Sequence, residues 1–203
     1  MRETLKTFAF WLAVVAMLPA WLSFQVRRRL LGGDRALHGS SQALSLLPGL
    51  SGQYLRRAFL WLTLDACATS ATVEFGTVLS QRHARIDENV YVGPHCHLGL
   101  VHLGRDVLLA AGVHVPSGGA THGTARTDRP IREQDGTPAM IHIGEGTWIG
   151  SAAVVLADVG KHSVIGAGAV VTHPLPDFVV AAGVPARVIR SRRAAEEYQG
   201  VAV

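Results

Sequence analysis

Residues 141–190 read IHIGEGTWIGSAAVVLADVGKHSVIGAGAVVTHPLPDFVVAAGVPARVIR, and their spacing predicts the fold. Aliphatic residues recur six apart, first at Ile143, Ile149 and Val155 and then at Val159, Ile165 and Val171. A period of six fits neither an α-helix nor a simple alternating strand. It predicts short flat strands joined by corners, three to a coil, with stacked coils forming a parallel β-helix.

The same period continues upstream of this stretch. It places aliphatic residues at Ile86, Val92, Leu98, Leu103, Leu109 and Val115. Four residues after eight of the twelve aliphatic positions, a small or β-branched residue recurs, at Val90, Cys96, Val107, Val113, Thr147, Ala153, Ser163 and Ala169. We interpret the two phase slips, Leu98 to Leu103 and Val155 to Val159, as corners of different length. Glycine commonly follows the aliphatic residue, where we expect it to permit corner backbone that other residues would strain to adopt.

The composition of the 203-residue chain agrees with a narrow core. Hydrophobic residues make up 48% and charged residues 17%, which excludes a mostly disordered chain. Cys67 and Cys96 are the only cysteines, so a disulfide-built scaffold is excluded. Eight of the 13 aromatic residues fall in residues 8–61. The remainder is therefore a Val/Ala/Gly chain that needs an architecture packed with small side chains.

The formal charge is +4, and the excess is concentrated in arginine clusters near the two ends. Nucleic-acid binding needs a basic face with interleaved aromatics or a reading helix, and the sequence has neither. We therefore expect no nucleic-acid partner. The cluster Arg27, Arg28 and Arg29 follows an apolar run, which is typical of contact with a membrane surface.

Residues 8–26, FAFWLAVVAMLPAWLSFQV, are that run. As a helix they rise about 28 Å, close to the hydrocarbon core of about 30 Å. Trp11 and Trp21 take the positions of interfacial aromatics, and the arginines place the following domain in the cytoplasm. We interpret the run as a membrane anchor that spans, or dips in and out at Pro19. The alternatives are a cleaved signal peptide and an apolar helix packed on the domain or a partner subunit.

The division of the chain follows from these patterns. We predict an anchor segment over residues 1–32, a helical cap over 33–69, a β-helix over 70–190 and a tail over 191–203. In the cap, Leu55, Phe59 and Leu62 recur at helical spacing. Residues 116–140 break the period as a long polar loop, and such loops in compact domains are usually functional.

The runs WIGSAAVV, VIGAGAVVT and VVAAGVPARVIR resemble the hexapeptide-repeat acyltransferases, which include the galactoside, maltose and xenobiotic O-acetyltransferases. The resemblance covers about residues 70–190. The first 65 residues resemble an extension found in the membrane-anchored, exopolysaccharide-associated branch. The resemblance implies a left-handed parallel β-helix, a homotrimer, and active sites in the clefts between subunits.

His122 is the one histidine of the loop, and its segment SGGATH matches the family's catalytic base. Imidazole can take the proton of an acceptor hydroxyl at neutral pH and return it to the leaving thiol. The alternative is a solvated loop histidine with no role. Asp128 and Glu133 share the loop, where they could orient His122, bind sugar hydroxyls, or be solvated charges.

The donor implied by the resemblance is acetyl-CoA, used as a co-substrate. The residues that match its binding positions are Trp148, Ser151, Ala167, Thr172 and Arg187. One departure from the family is His173, where many relatives have a lysine that helps to hold phosphate. Arg190, Arg192 or Arg193 could compensate, or the donor could be another molecule. The alternative for Ser151, Ala167 and Thr172 is ordinary coil positions.

His95, Cys96 and His97, with His102 five residues further on, suggest a metal site. Trimeric γ-class carbonic anhydrases share the architecture and use such a histidine pair, but the third histidine is missing at the required distance. We expect no metal, and we assign His95 and His97 to the acceptor side of the cleft. The other reading is two surface histidines.

These expectations combine into a trimeric O-acyltransferase that acts on a saccharide hydroxyl, free or lipid-linked. It would lie at the cytoplasmic face of the bacterial inner membrane. The alternatives are the metalloenzyme, transfer to a serine or amine acceptor, and a scaffold without catalysis.

Overall fold

A computed structural model describes residues 2–193; the tail predicted over 191–203 therefore lies outside the described residues from 194 onward. Three helices come first: α1 (Arg2–Leu31), α2 (Gly33–Ser45) and α3 (Gly49–Thr63). The first break falls at Gly32 and the second at residues 46–48, just before Gly49; the φ angles of Gly32 and Gly49, 88° and 68°, favour glycine. The first strand begins at Ala66, four residues ahead of the predicted boundary.

The rest of the chain is a parallel β-helix with three sheets, named A, B and C. Sheet A contains β1 (Ala66–Cys67), β4 (Arg85–Ile86), β7 (Val101–Leu103) and β10 (Ile141–Ile143). Sheet B contains β2 (Thr72–Val73), β5 (Tyr91–Val92), β8 (Leu108–Leu109), β11 (Trp148–Ile149), β13 (Val164–Ile165), β15 (Val179–Ala182) and β16 (Arg187–Ser191). Sheet C contains β3 (Val78–Leu79), β6 (His97–Leu98), β9 (His114–Val115), β12 (Val154–Val155) and β14 (Val170–Val171).

The core of the β-helix is the one that the period predicts. All twelve aliphatic positions are at most 2% exposed, and the eight small positions that follow them are equally buried. Thr147, one of the small positions, carries a hydroxyl that forms hydrogen bonds between coils. It donates to the carbonyl of Gly160 at 2.7 Å and accepts from the amide of Ser163 at 3.1 Å. The mainly β fold of stacked hexapeptide coils is therefore confirmed, and its left-handed sense stays an implication of the resemblance.

The phase slips mark one edge of the prism. Leu98 and Val155 are the last residues of strands in sheet C. Leu103 belongs to sheet A, and Val159 pairs with Ile143 of that sheet. At these two places the edge between sheets C and A, here the C/A edge, is turned by fewer residues than the other two edges, whereas its first corner, from Leu79 to Ile86, is longer. Loop 116–140 leaves the β-helix at this same edge, between β9 and β10.

The expected role of the glycines is wrong in its mechanism. Gly150 and Gly166 do not have positive φ angles; a Cβ on Gly150 would lie 2.5 Å from the amide nitrogen of Ala167 in the next coil. Glycine is needed there because the coils stack closely. The left-handed backbone positions of the corners are filled by other residues as well, such as His95 (φ 58°) and Ala152 (φ 57°).

Helices α2 and α3 cover the first coil. Leu37 and Phe59 are fully buried and share one apolar cluster with the interior of the β-helix. Arg56 on α3 is also buried; its Nε donates to the carbonyl of Val73 and its Nη1 to those of Leu44 and Leu47. Burial lowers the pKa of this guanidinium, and Glu74 acts in the opposite sense. The cap is therefore attached by packing and by a buried cation.

Helix α1 has two apolar faces with different surroundings. The inner face packs on α2 and α3 through residues such as Phe10 and Phe24, which are 3% and 1% exposed. The outer face is exposed and equally apolar: Leu5, Phe8, Leu12, Val15, Leu18, Leu22, Val26 and Leu30. Among the described residues, α1 is the one helix long and apolar enough to cross a membrane, and it runs unbroken through Pro19.

Two details of α1 differ from the expectation. The indole of Trp21 does not face outward; its Nε1 donates to the carbonyl of Leu62 on α3 at 3.2 Å. Arg27 donates from Nη2 to the hydroxyl of Ser40 at 2.8 Å, so it fixes α1 to α2. Of the three arginines in this cluster, Arg28 and Arg29 remain exposed and can contact an external surface.

The last coil ends differently from the first. Strand β16 turns back and pairs with β15 in the antiparallel sense, while every other strand pairing is parallel within the described residues. All five residues of β16 are exposed.

Candidate active site

Loop 116–140 is folded into two arms. The amide of Thr137 donates to the carbonyl of Ala120 at 2.7 Å, and the amide of Ala139 donates to that of Ser117 at 2.9 Å. These bonds align the outgoing and returning chain, because each joins one arm to the other. The loop is therefore an ordered structure with its own hydrogen bonds.

Gln134 holds the outer part of this loop. It is 8% exposed, its Oε1 accepts from the amide of Arg126, and its Nε2 donates to the carbonyls of Arg126 and Arg129. Its own carbonyl accepts from the amide of Gly123 at 3.3 Å, one residue after His122. Gln134 thus fixes the backbone beside the candidate base.

His122 is exposed on this loop at the C/A edge. Within the described residues its ring has no hydrogen-bond partner, so the imidazole is open to an external molecule. Neither of the two carboxylates considered in the sequence analysis, Asp128 and Glu133, orients it: Asp128 accepts from Arg126, and Glu133 lies 3.9 Å from Arg132. The hydrogen bond from Arg126 lowers the pKa of Asp128. The acids are paired within the loop and do not contact the histidine.

Trp148, Ser151 and Ala167 lie elsewhere on the prism. Trp148 is half-exposed on the outer surface of sheet B, paired in register with Leu108 and Val164. Ser151 and Ala167 occupy the same edge, between sheets B and C, in consecutive coils. The amide of Gly168 donates to the carbonyl of Ser151 at 2.8 Å, which joins the two corners. This B/C edge is exposed and carries only small side chains at these positions.

Thr172 and Arg187 are separated from that edge. Thr172 follows β14 and lies on the C/A edge, where its Oγ1 is 2.9 Å from Nδ1 of His173. Arg187 begins β16 and its exposed guanidinium faces outward at the end of sheet B. From Trp148 to β16 there are three strand intervals, about 14 Å.

The candidate residues thus form two groups in one chain. His122, Asp128 and Thr172 share the C/A edge, while Ser151 and Ala167 share the B/C edge with Trp148 beside them on sheet B. Sheet C lies between these edges. All these residues are exposed, so a single chain displays both groups on its surface.

The predicted acceptor-side histidines are also separated. His95 lies in a B/C corner with its ring edge-on to Phe75 of the preceding coil, 5.6 Å between centroids. His97 projects from sheet C between His38 and His114, with ring centroids about 6 Å away. Burial and then these two neighbouring histidines lower the pKa of His97. His97, unlike His95, therefore lies on the surface between the two edges.

The metal alternative finds little support in these positions. His97 is on sheet C and His102 is on sheet A, where its Nε2 lies 3.0 Å from Asp87. No group of three or more His, Cys, Asp or Glu side chains among residues 2–193 is arranged to hold a metal ion. Cys96, as expected, is a core residue with 1% exposure.

Gln134 and Ser117 order the loop but were not predicted from the sequence. Ser117 is buried, and its hydroxyl accepts from the amide of Leu100 at 2.9 Å at the base of the loop. Both residues lie in a polar stretch without a period, so no pattern distinguished them from solvated neighbours.

Comparison with known proteins agrees with this architecture. Residues 140–173 match the family described as "Hexapeptide repeat of succinyl-transferase". Galactoside O-acetyltransferase of Escherichia coli K12 is 32% identical over 167 residues, which cover 70% of this chain and 80% of the relative. The putative lipopolysaccharide biosynthesis O-acetyl transferase WbbJ of the same organism is 30% identical over 115 residues, covering 51% of this chain and 58% of the relative.

A solved structure described as galactoside acetyltransferase in complex with coenzyme A superposes with a TM-score of 0.59. The match covers 86% of this chain and 93% of the solved chain at 24% identity, and therefore supports the fold. Given the length and identity of the first match, the chain belongs to the hexapeptide-repeat acyltransferase family. Within that family it is an enzyme, an acetyltransferase.

Proposed function

We propose that the protein transfers an acetyl group from acetyl-CoA to a hydroxyl of a saccharide, with His122 as general base. The observation that carries this proposal is the ordered loop: Gln134 holds the chain beside an imidazole that has no hydrogen-bond partner among residues 2–193. The names of two relatives support it: one is a galactoside O-acetyltransferase, and the other is a putative O-acetyl transferase of lipopolysaccharide biosynthesis.

In the proposed step, Nε2 or Nδ1 of His122 accepts the proton of the acceptor hydroxyl as its oxygen attacks the thioester carbonyl. The C–S bond then breaks, and the proton returns to the leaving thiolate. The products are the acetyl ester and free coenzyme A. A base placed in this way contributes about 10²–10⁴-fold to the rate.

The B/C edge supports the donor assignment. Ser151 and Ala167 are exposed and present small side chains at corners of consecutive coils, so an extended chain such as pantetheine can lie along this edge. Arg187 supplies a cation for the phosphates at the end of sheet B. His173 adds a neutral or weakly basic group where relatives have lysine, and we expect it to contribute less to phosphate binding.

The two-edge arrangement supports a homotrimer. The donor edge and the edge with His122 are separated by sheet C in one chain, whereas a neighbouring subunit can bring its own edge against the other. The active site then lies between subunits and includes the surface of sheet C with His97. Sedimentation of the detergent-solubilised chain at three times the protomer mass is the expected result.

The outer face of α1 supports membrane attachment. A surface helix in water presents polar side chains opposite its packed face, but α1 presents eight large aliphatic or aromatic ones, followed by Arg28 and Arg29. We propose that this face enters the membrane on the cytoplasmic side, with a lipid-linked saccharide as the acceptor. The inner face is already packed on the domain, which favours a helix that lies in the membrane surface over one that spans.

The decisive experiment is His122→Ala with a thiol-release assay on acetyl-CoA and a panel of sugars and amines. We expect kcat to fall at least 100-fold with an unchanged melting temperature. His83→Ala is the control, because His83 is an exposed histidine of the first coil. Near-normal turnover of His122→Ala would remove His122 as the base, and exclusive use of amines would replace the hydroxyl acceptor.

A further inference from the structure

A groove of about 680 Å³ lies between the N-terminal half of α1, helix α3 and the first two coils. Lys6 and Trp11 line it from α1, Tyr54 and Arg57 from α3, and Thr69 and Asn89 from the coils. The described lining residues include two cations and no carboxylate. The groove is at the opposite end of the prism from β16, and none of the candidate catalytic residues lines it.

Arg57 is held in place within this groove. Its guanidinium lies 4.5 Å from the ring centroid of Tyr54 and 5.4 Å from that of Phe10, and Nη1 donates to the carbonyl of Ala71. Within the described part of the chain this carbonyl is its one hydrogen-bond acceptor. A guanidinium fixed on aromatic rings with donors to spare suits the oxygens of a phosphate.

Trp11, which lines the groove, lies one helical turn from Phe8 on the outer face of α1. Leu5 and Phe8 are 68% and 66% exposed, and Leu50 on α3 is 68% exposed at the rim. Half-exposed Trp11 joins the apolar face to the polar groove, as an aromatic residue does at a membrane surface. A molecule that fills both regions needs an anionic head and an apolar tail.

We propose that this groove binds the phosphate-bearing headgroup of an anionic membrane lipid, whose acyl chains lie along the outer face of α1. The inference rests on the membrane attachment proposed above and adds a specific site to it. Arg57 contacts the phosphate, the side chains of Thr69 and Asn89 hydrogen-bond to the polar remainder of the headgroup, and Trp11 lies at the level of the membrane interface.

The test is flotation of the full-length protein with phosphatidylcholine vesicles, with and without phosphatidylglycerol. We expect Arg57→Gln to weaken binding to the anionic vesicles at least 20-fold and to leave binding to the neutral ones unchanged. Arg28→Gln is the matched control; it removes the same charge from exposed α1 and costs about fivefold, the effect of one surface cation. Equal losses of binding to anionic vesicles in the two variants would refute the proposed lipid site.

A second variant guards against a folding defect in Arg57→Gln. Thr69 is exposed at the rim, so Thr69→Glu places a negative charge there without disturbing the stacked guanidinium. We expect a similar loss on anionic vesicles and an unchanged melting temperature; full binding of Thr69→Glu would contradict the proposal. Calorimetry with inorganic phosphate should show no saturable binding below 10 mM. Tight binding of phosphate alone, lost in Arg57→Gln, would replace the lipid by a free anion.

The outcomes separate this inference from the proposals on which it rests. Acetyl transfer to a soluble acceptor should be equal in wild type, Arg57→Gln and Thr69→Glu, because the groove is remote from His122. A wild-type protein that binds no vesicle refutes membrane attachment and the lipid site together. A wild-type protein that binds vesicles but releases no thiol refutes the enzymatic proposal alone.

Discussion

Replacing Gln134 by alanine should open the loop that carries His122 while leaving the β-helix intact. The substitution removes three side-chain hydrogen bonds, two of them to the carbonyls of Arg126 and Arg129 and one from the amide of Arg126. At about 1 kcal/mol for each bond, the ordered loop loses about 2–3 kcal/mol. The ratio of open to ordered loop then rises about 30- to 150-fold.

Amide hydrogen exchange measures this ratio directly. The reporters are Thr137 and Ala139, whose amides bond across the loop to Ala120 and Ser117. Their exchange should accelerate by about the same 30- to 150-fold, whereas the amide of His97, bonded to Val113 within sheet C, should not change. The melting temperature should fall by about 4–12 °C, because the native state as a whole loses the same stabilisation.

The catalytic activity of Gln134→Ala should fall because the loop is more often open. We expect kcat/KM for acetyl transfer to drop about tenfold or more, since a misplaced base loses most of its effect. Gln81→Ala is the control; Gln81 lies in a corner of the first coil and is equally a glutamine at the surface of the β-helix. Faster exchange with unchanged kcat/KM would refute the reasoning, because the loop would then not position the base.

Two further predictions concern the cap and the thiols. Arg56→Ala should cost about 3–5 kcal/mol in the free energy of unfolding measured with urea, because Val73, Leu44 and Leu47 lose their donor; exposed Arg35→Ala should cost under about 0.5 kcal/mol. Burial raises the pKa of Cys67 to about 12 and also raises that of Cys96, so little thiolate exists at pH 8. Ellman's reagent should therefore label neither thiol until denaturant is added, and a fast native reaction would contradict this.

The interior of the β-helix was predictable because the stacking of coils restricts the size of every inward side chain. An inward position such as Ile149 faces neighbours from other coils that are equally confined, so its size is constrained at every repeat. The same register places Ser151 and Ala167 on one edge without any knowledge of side chains. The reason that glycine is required after the aliphatic positions was not predictable, because the period shows where coils meet and not how closely their backbones approach.

The loop and α1 were not predictable in the same way. The role of Gln134 depends on bonds to residues three, five and eight or more positions away in a stretch without periodicity. In α1, both faces are apolar, so composition could not separate the packed face with Phe24 from the exposed face with Leu12. Trp21 illustrates the difference, since its partner Leu62 lies 41 residues further along the chain.

The two ends of the prism are unlike, and this sets the length of the molecule. A stack of identical coils has no inherent stopping point, and an open end displays unpaired amides and carbonyls that another copy could extend. Here α2 and α3 cover one end, while β16 runs against the direction of the coils at the other. Its reversed strand, with Arg187 and Arg190 on the outside, offers no template for a further parallel coil. The chain therefore behaves as a particle of fixed size rather than as the seed of a fibre.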